Sequence, residues 1–593
     1  MTMSKHDVYN NSVIENFKFL KETDNIKKSY LNSIPLTRGM FLLPVSRMHL
    51  KDNNLIELLT SWRNENVHVY PTQFVATTSG TRKWMEHNLL NVLDRILFLV
   101  VDDTGQAIGH IGFNNCINSD MDFEIDNVIR GKSTEKSRGI FSEALKVMIE
   151  WARKLMTIES FSLRVMNDNY KAISFYKKNG FIEYSEIALI KTLEEGVVNY
   201  KQVINANSPD KVLLKMTLNL EESNMGSQMI LTAGPSISQK EYVYAYDAVE
   251  NGWNSNWSGY LSKFESEFAK YIGVKYAIAT SSCTGALQIA LMALDIGPGD
   301  EVIVPDQTWV ATAKAVTYVG ATPIFADIEF DTWSLSGVSV ESLITSRTKA
   351  IIPVHMYGHP TRMDEIVDLA TKYNLKIVED AAPAIGAEWK GKRCGSFGHF
   401  AGFSFQGAKL MVTGEGGMLV TNDKVLYERA YKISDQGRNP SKVFWIDEKG
   451  VKFKMSNVQA AVGLAQLERI NELIEFKRRI FSWYKEGLKD IPYISLNEEV
   501  EHARSIYWMS SILLNKTSPI SRNDLIIALS RMNIDSRPVF PAISQYPIWA
   551  EKNDAQPIAK FIGDNGINLP SGVCLKREEV QYICKQIRII FSA

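Results

Sequence analysis

The run Lys376-Ile-Val-Glu-Asp-Ala-Ala-Pro383 has an apolar centre and ends in two carboxylates. Its length and composition are typical of a strand that is buried on both faces of a sheet. Four similar runs precede it, separated by helical segments: Tyr276-Ala-Ile-Ala-Thr, Glu301-Val-Ile-Val-Pro, Thr322-Pro-Ile-Phe-Ala and Ala350-Ile-Ile-Pro-Val. This alternation predicts an α/β domain with a mostly parallel sheet, in which ligands bind at the carboxyl ends of the strands.

The chain before these strands has a different organisation. Strand-like runs such as Phe98-Leu-Val-Val-Asp and Phe161-Ser-Leu-Arg-Val alternate with helical periodicity, which predicts a separate α+β domain over residues 36–221. Small and polar residues at 222–229 predict a linker, and residues 230–593 form the second domain. Residues 1–35 are an N-terminal extension, either a short amphipathic helix or a loose segment.

Bulk composition excludes several classes of protein. A chain of 593 residues exceeds the size of one hydrophobic core. Its 66 basic and 67 acidic residues give a net charge of -1, so it has no overall field for binding nucleic acid or a membrane surface. The five cysteines show no metal-ligand spacing, and the N-terminus lacks the apolar centre of a signal peptide. We therefore expect a cytoplasmic protein with no metal site.

A phosphate-binding segment is predicted at Thr280-Ser-Ser-Cys-Thr-Gly-Ala-Leu287. It follows a strand and opens a helix, so its backbone amides and the hydroxyls of Ser282 and Thr284 can bind a phosphate. An ordinary helix N-cap is the alternative interpretation.

Two further segments add groups that pyridoxal phosphate requires. Asp380 ends a strand, where a carboxylate can keep a pyridine nitrogen protonated, or can simply cap the next loop. Gly402-Phe-Ser-Phe-Gln-Gly-Ala-Lys409 offers Ser404 to the phosphate and Lys409 to the cofactor aldehyde. A desolvated lysine loses its proton readily, as this chemistry requires, although an isolated lysine is usually a solvated surface charge.

These segments resemble, in order and spacing, the motifs of the DegT-type sugar aminotransferases. The resemblance rests on Ser281 to Leu287, Glu379 to Ala384, Phe403 to Lys409 and Gly414-Glu-Gly-Gly-Met418. It implies an aspartate aminotransferase-like domain of fold type I with a smaller C-terminal subdomain. The dehydratase relatives, in which histidine replaces the lysine, do not match Lys409.

The resemblance also implies a role for each matching residue. Lys409 binds the pyridoxal phosphate aldehyde and Asp380 its ring nitrogen. The phosphate ligands would be Cys283, Thr284 and Ser404. Trp309 occupies the position of a ring that stacks on the cofactor, with core packing as the alternative, and Asn457 matches a residue that reaches the partner subunit's phosphate in homodimers.

Two positions depart from the family pattern. Cys283 replaces a common glycine, and Pro383 replaces a frequent glutamine, which puts a side-chain contact to the oxygen on the cofactor ring in doubt.

One further match narrows the substrate. Val354-His-Met-Tyr-Gly-His-Pro360, taken with the lysine motif, is most similar to perosamine synthase-like enzymes. That similarity implies amination at C4 of a nucleotide-linked 4-keto-6-deoxyhexose, with glutamate as donor.

The N-terminal domain resembles the GNAT acetyltransferases. Val128 to Leu145 contains a strand end, a basic loop and a helix start, which can bind a pyrophosphate, although Phe141 stands where the family prefers glycine or alanine. Asn167 and the Tyr176 to Phe181 segment follow with the family's spacing. The residues implied for acetyl-CoA are Lys136, Arg138 and Gly139 at the pyrophosphate, Asn167 at the cofactor arm and Tyr176 as donor to the thiolate.

The catalytic base of this domain is less defined. Tyr176 has core packing as its alternative interpretation. Glu124 and Asp126 share one face of the strand before the basic loop, and Glu124 is the candidate base. Either carboxylate is also compatible with a solvated strand position.

An amine-making domain beside an amine-consuming domain in one chain suggests two consecutive reactions. In this hypothesis the second domain makes an amino sugar, and the first acetylates it for a surface polysaccharide. Two alternatives stay open: the first domain uses another acyl donor or acceptor, or the second is a regulatory module that binds the cofactor without turnover.

Overall fold

The computed structural model describes residues 5–23, 25–131, 139–156, 158–194, 197–203, 208–218, 229–439, 441–549 and 554–592. The chain divides into two compact units, residues 1–222 with 238–243, and residues 223–237 with 244–593. Most of the predicted linker, residues 222–228, lies outside the described residues. Among the residues that are described, no helix has the length and apolar character needed to cross a bilayer.

The first unit is an α+β domain, as predicted. Its strands are β1 Ile34–Pro35, β2 Phe41–Pro44, β3 Thr72–Gln73, β4 Ile96–Val101, β5 Ala107–Asn114, β6 Asp122–Arg130, β7 Ser160–Met166, β8 Phe181–Glu194, β9 Val197–Gln202 and β10 Lys211–Leu218. Its helices are α1 Lys5–Lys21, α2 Ile26–Leu31, α3 Asn53–Glu65, α4 Thr78–Trp84, α5 Ile140–Leu155 and α6 Tyr170–Lys178.

These strands form one sheet in the order β1-β2-β4-β5-β6-β7-β10-β8-β9-β3. The pair β6 and β7 is parallel, whereas the other pairs in this sheet are antiparallel. Helix α1 answers the question that the sequence left open for the N-terminal extension. Its Tyr9, Val13 and Phe17 are buried in one cluster with Phe123 and Phe161, so this segment packs into the core of the unit.

The second unit contains a larger set of elements. The strands are β11 Tyr276–Thr280, β12 Glu301–Pro305, β13 Thr322–Ala326, β14 Thr348–Ile351, β15 Lys376–Asp380, β16 Glu388–Trp389, β17 Lys392–Arg393, β18 Phe400–Ser404, β19 Gly417–Thr421, β20 Ile494–Leu496, β21 Ala503–Arg504, β22 Ser510–Leu514, β23 Arg537–Pro538 and β24 Gly566–Leu569. The remaining helices of the chain are α7 Gln239–Asn251, α8 Gly259–Ile272, α9 Cys283–Ala293, α10 Ala311–Tyr318, α11 Gly337–Leu343, α12 Met363–Tyr373, α13 Lys424–Ser434, α14 Asn457–Leu467, α15 Ile470–Leu488, α16 Arg522–Arg531, α17 Pro557–Asn565 and α18 Arg577–Ser592.

The main sheet of this unit has the order β11-β19-β18-β15-β14-β12-β13. Strands β12 to β15 and β18 pair in parallel, which confirms the predicted parallel sheet. Strand β19 is antiparallel to both of its neighbours, β11 and β18. A smaller antiparallel sheet, β20-β22-β24-β23, follows in the C-terminal part of the chain.

Alternate residues of β11 and β19 enter different buried clusters. Ile278 and Leu419 belong to a cluster that also contains Leu287 of α9. The neighbouring Ala279 and Met418 belong to another cluster, which contains residues of α8 and α14. The sheet is therefore covered on both faces, and the edge formed by its strand ends is left to bind ligands.

Gly417 holds two predicted phosphate segments together at that edge. It pairs with Thr280 of β11 on one side and with Ser404 of β18 on the other. A Cβ atom at Gly417 would lie 2.5 Å from the backbone carbon of Ser282 and 2.6 Å from the backbone nitrogen of Cys283. The close approach of these backbones therefore requires glycine at this position.

Gly417→Ala should push β19 away from the start of α9. Overpacking of this kind costs roughly 1–3 kcal/mol, so we expect a lower melting temperature of the second unit in calorimetry and weaker binding of pyridoxal phosphate. Gly259→Ala is the matched control, because a Cβ there meets nothing within 4 Å. Equal behaviour of the two variants would contradict this role of Gly417.

Candidate active sites

Asp380 lies at the carboxyl end of β15, in the middle of the second unit's sheet. Its Oδ2 accepts a hydrogen bond from Thr312 Oγ1 at 2.7 Å, and its Oδ1 accepts one from the Ala382 amide at 3.2 Å. The side chain is buried, and this burial raises the pKa of the carboxyl group. A positive charge nearby therefore favours the ionised form of this carboxyl group.

Lys409 supplies a cation near Asp380. Burial lowers the pKa of its amine to about 8, although the charge of Asp380 acts in the opposite direction. The Nζ atom lies 3.8 Å from the ring centroid of Trp508, whose own Nε1 donates to the Ala408 carbonyl at 2.8 Å. Trp508 thus fixes the loop that carries the lysine, and the amine is neutral more often than an ordinary lysine would be.

The start of α9 contains the predicted phosphate ligands Cys283 and Thr284. Ser282 is the N-cap of this helix, because its side chain accepts from the Gly285 amide at 3.0 Å, as the alternative interpretation expected. Cys283 is buried with its Sγ 3.9 Å from Asp380 Oδ1, and burial raises the pKa of the thiol. The neutral thiol leaves the backbone amides of this turn as the groups suited to an anion.

Ser404 and Trp309 border the same edge of the sheet. Ser404 is the last residue of β18 and is buried. Trp309 is 56% exposed and lies 5.5 Å from Phe540 in a tilted arrangement, so it is not a core residue. Phe540 stacks on Tyr357, which in turn stacks on Trp508. These four aromatic rings form a continuous series beside the site.

The groups at this edge fit pyridoxal phosphate in charge and in hydrogen bonding. Asp380 is a carboxyl group that can hold a protonated ring nitrogen, and Lys409 is an amine with a lowered pKa. The first turn of α9 has backbone amides that can bind the phosphate. Sequence reasoning did not identify Thr312 and Trp508. Thr312 follows Trp309 by three residues, which was an available signal, whereas Trp508 reaches the site through tertiary packing alone.

In the first unit, β6 and β7 separate partway along their length. Their parallel pairing runs from Asp122 with Ser160 to Ile125 with Leu163. Beyond this point β6 continues to Arg130 and β7 to Met166 without pairing with each other. The strand edges therefore diverge toward their carboxyl ends, where an extended ligand can bind backbone groups.

Helix α5 begins close to the predicted pyrophosphate loop. Lys136 and Arg138 lie outside the described residues. Gly139 has a φ of 85°, a left-handed conformation that favours glycine, and it precedes the first turn of α5. Phe141, the departure from the family pattern, is buried in the core and packs against Gly109.

Asn167 and Tyr176 lie on elements that follow β7. The backbone N–H of Asn167 donates to the Val212 carbonyl at 2.9 Å, and the Asn167 side chain is exposed. Tyr176 is buried among aromatic residues, as its alternative interpretation expected. Its phenol also interacts electrostatically with Asp126 and Tyr70, and burial raises its pKa, so it stays protonated and able to donate.

Glu124 forms a bidentate ion pair. Its two oxygens accept from Arg164 Nε at 2.6 Å and from Arg164 Nη2 at 2.9 Å. It is not a solvated carboxylate, because it is only 9% exposed. A base at this position would have to give up its ion pair to reach a substrate.

Asp126 instead lines a cavity of about 350 Å³. The same cavity is lined by His110, Arg63 and Arg95, which sequence reasoning did not identify, and by aromatic rings that include Tyr70. His110 stands in the strand-like run Ala107 to Phe113, where an isolated histidine gives no local signal of function. These residues come together only through the packing of α3 and β4 to β6.

Comparison with known proteins supports both domain assignments. The DegT/DnrJ/EryC1/StrS aminotransferase family model matches residues 235–588, and the acetyltransferase (GNAT) domain model matches residues 45–182. The GDP-perosamine synthase of Escherichia coli O157:H7 is 43% identical over 358 residues, which cover 60% of this chain and 97% of that relative. The GDP-perosamine synthase of Caulobacter vibrioides is 40% identical, over 60% of this chain and 96% of that relative.

A solved structure agrees with these matches. The crystal structure of S. venezuelae DesV in complex with a ketimine intermediate shares 31% identity and a TM-score of 0.56, over 60% of this chain and 94% of DesV. The aminotransferase family match covers most of the unit that contains Lys409 and Asp380. The chain therefore belongs to the DegT/DnrJ/EryC1/StrS aminotransferase family and carries a GNAT acetyltransferase domain before its aminotransferase domain.

Proposed function

We propose that this protein makes and then acetylates an amino sugar. Its second domain would transfer an amino group from glutamate to C4 of a nucleotide-linked 4-keto-6-deoxyhexose. Its first domain would transfer the acetyl group of acetyl-CoA to that amine. One observation carries the proposal: the chain that brings Lys409 close to Asp380 also contains a GNAT domain.

The names of the relatives favour a GDP-linked sugar. The two GDP-perosamine synthases named above match this chain over 97% and 96% of their own length. Perosamine is a 4-amino-4,6-dideoxyhexose, which agrees with amination at C4. We therefore take GDP-perosamine as the intermediate that passes from the first reaction to the second.

Pyridoxal phosphate, when bound, supplies an electron sink that makes the amino transfer possible. In the proposal, Asp380 keeps a proton on the ring nitrogen, and Thr312 and the Ala382 amide hold its carboxylate in place. Lys409 would bind the cofactor aldehyde and would move protons at the substrate carbon, which its lowered pKa favours. Cys283, Thr284 and Ser404 would bind the phosphate, and Trp309 would contact the ring.

The second subunit of a homodimer would complete the phosphate site through Asn457. Asn457 Oδ1 accepts from the Tyr260 amide at 3.0 Å. Its Nδ2 is buried and has no hydrogen-bond partner among the described residues. An unused buried donor is costly, and a phosphate oxygen of the partner's cofactor would satisfy it.

The first domain would bind acetyl-CoA along the gap between β6 and β7. Lys136, Arg138 and Gly139 would bind its pyrophosphate at the start of α5, and Asn167 would contact its pantetheine arm. Tyr176, whose raised pKa keeps the phenol protonated, would donate to the departing thiolate. Enclosing both domains in one cytoplasmic chain keeps the amine close to its acetyl donor.

Lys409→Ala should abolish both cofactor binding and amino transfer. After incubation with pyridoxal phosphate and removal of the excess, the variant should lack the visible absorbance of the bound cofactor. Lys270→Ala is the matched control, because Lys270 is a solvated lysine of α8 with its side chain 80% exposed. Amino transfer by the Lys409 variant would disprove the assignment of this lysine.

The product decides whether the two reactions are consecutive. With glutamate, acetyl-CoA and a GDP-linked 4-keto-6-deoxyhexose, mass spectrometry should detect an N-acetylated amino sugar nucleotide. Without acetyl-CoA, the product should be the free amine. Lys409→Ala supplied with GDP-perosamine should still acetylate it, because the two sites are separate. An amine that stays unacetylated in the complete mixture would refute the consecutive reactions.

A further inference from the structure

Two residues that line the cavity of the first unit, His110 and Asp126, can accept hydrogen bonds from a ligand. His110 Nδ1 lies 2.6 Å from the Asn127 carbonyl oxygen. A carbonyl only accepts, so Nδ1 carries the hydrogen and Nε2 carries a lone pair. Nε2 makes no hydrogen bond within the described part of the chain, and burial lowers the pKa of His110 to about 4, so the ring is neutral.

Asp126 is the second acceptor. Asn127 Nδ2 and Arg95 Nη2 both donate to its Oδ2, at 2.6 Å and 3.4 Å, so Oδ1 is the oxygen better placed to accept from a ligand. Burial raises the pKa of this carboxyl, which makes the carboxylate a stronger base. Asp126 is also the first β6 residue beyond the segment paired with β7, so it stands where the two strands separate.

Arg63 lines the same cavity and has one donor without a partner among the described residues. Its Nη2 donates to the Thr72 carbonyl at 2.7 Å, and its guanidinium carbon lies 3.5 Å from the Tyr70 ring centroid. Its Nη1 is buried and has no hydrogen-bond partner among the described residues. A guanidinium nitrogen in this condition is suited to an anionic oxygen.

We propose that this cavity is the acceptor site of the acetyl transfer and takes a sugar with an ammonium and an anionic group. Asp126 receives the ammonium and takes its proton, His110 Nε2 accepts a second N–H, and the Arg63 guanidinium binds the anion. The inference rests on the acetyl transfer proposed above and replaces Glu124, held by Arg164, with Asp126 as the base.

A nucleotide-linked 4-amino sugar has this distribution of charge. Its amine at C4 and its pyrophosphate at C1 are on opposite corners of the pyranose ring. The aromatic residues of the cavity can contact the apolar faces of that ring. These residues are Tyr70, Phe74 and Trp84.

The reaction at this site balances in protons and bonds. One N–H bond of the ammonium breaks, and its proton passes to Asp126. The nitrogen lone pair then forms a C–N bond with the thioester carbonyl carbon of acetyl-CoA, and the C–S bond breaks. The second proton lost by the nitrogen ends on the departing thiolate, which gives the amide and the thiol of coenzyme A.

The test uses the full chain with GDP-perosamine and acetyl-CoA and follows thiol release. Asp126→Asn should lower kcat about 100-fold or more at neutral pH, the usual contribution of a general base. Its rate should rise about tenfold per pH unit toward the pKa of the substrate amine, because the variant depends on free amine from solution. The wild-type rate should vary much less over that range, since Asp126 itself removes the proton.

Other titratable groups interact with Asp126 and are unchanged in this variant. They are Glu124, Arg95, Arg164, Tyr70 and Tyr176. Asp120→Asn is the matched control, because it makes the same chemical change at an exposed residue before β6. An unchanged KM for acetyl-CoA in each variant shows that the domain is folded.

His110→Asn keeps a donor for the Asn127 carbonyl but removes the Nε2 lone pair. We expect a lower kcat and a higher KM for GDP-perosamine, with the KM for acetyl-CoA unchanged. Arg63→Gln should raise the KM for GDP-perosamine about tenfold or more, and should leave the KM for the same amino sugar without its nucleotide unchanged.

The results separate this inference from the proposed function. If the wild-type protein acetylates no nucleotide-linked amine, the proposed function fails. If it does acetylate GDP-perosamine while Asp126→Asn behaves like Asp120→Asn, only the acceptor site is wrong. The inference would also be overturned if Glu124→Gln, and not Asp126→Asn, showed the lower kcat and the steeper pH dependence. Glu124 would then be the base.

Discussion

The larger unit depends on two opposite charges that are removed from water at one edge of a parallel sheet. Burying the Asp380 carboxylate costs several kcal/mol unless it is hydrogen-bonded and near a cation. Thr312, the Ala382 amide and Lys409 provide that compensation, and all of them follow strands or open helices of the same edge. The parallel order of β12 to β15 and β18 is what brings these segments together. The fold thus places an acid, an amine with a lowered pKa and a helix N-terminus around one ligand-binding edge.

The smaller unit uses the same geometric principle on a smaller scale. Its sheet is mostly antiparallel, but the adjacent parallel strands β6 and β7 separate beyond Ile125. Asp126, the first β6 residue beyond this pairing, lines the cavity of this unit. In the proposed function, parallel strands that end side by side in each unit would supply backbone groups to a phosphorylated ligand, and buried side chains would supply the proton transfers. The amine produced by one unit would then be the substrate of the other.

The sequence was informative where function depends on local motifs. The apolar runs predicted β11 to β15, and Asp380 and Lys409 were recognisable because each ends or follows a strand in a characteristic segment. Residues that reach a site from distant parts of the chain were not predictable in this way. Trp508 contacts Lys409 across about 100 residues, and Arg63 and His110 share a cavity only after α3 packs beside β5. The antiparallel β19 was also missed, because a short apolar strand carries no signal of its direction.

The most direct measurement is the pKa of the Lys409 amine. Capture of pyridoxal phosphate, followed by borohydride reduction and peptide mass spectrometry, reports the neutral fraction of this amine as pH is varied. Because burial lowers the pKa to about 8, the initial rate of capture at Lys409 should rise with pH up to about 8 and then level off. A rate that continues to rise toward pH 10.5, the ordinary value for lysine, would show that the amine is solvated and would contradict the account. The absence of any adduct at Lys409 would contradict it as well.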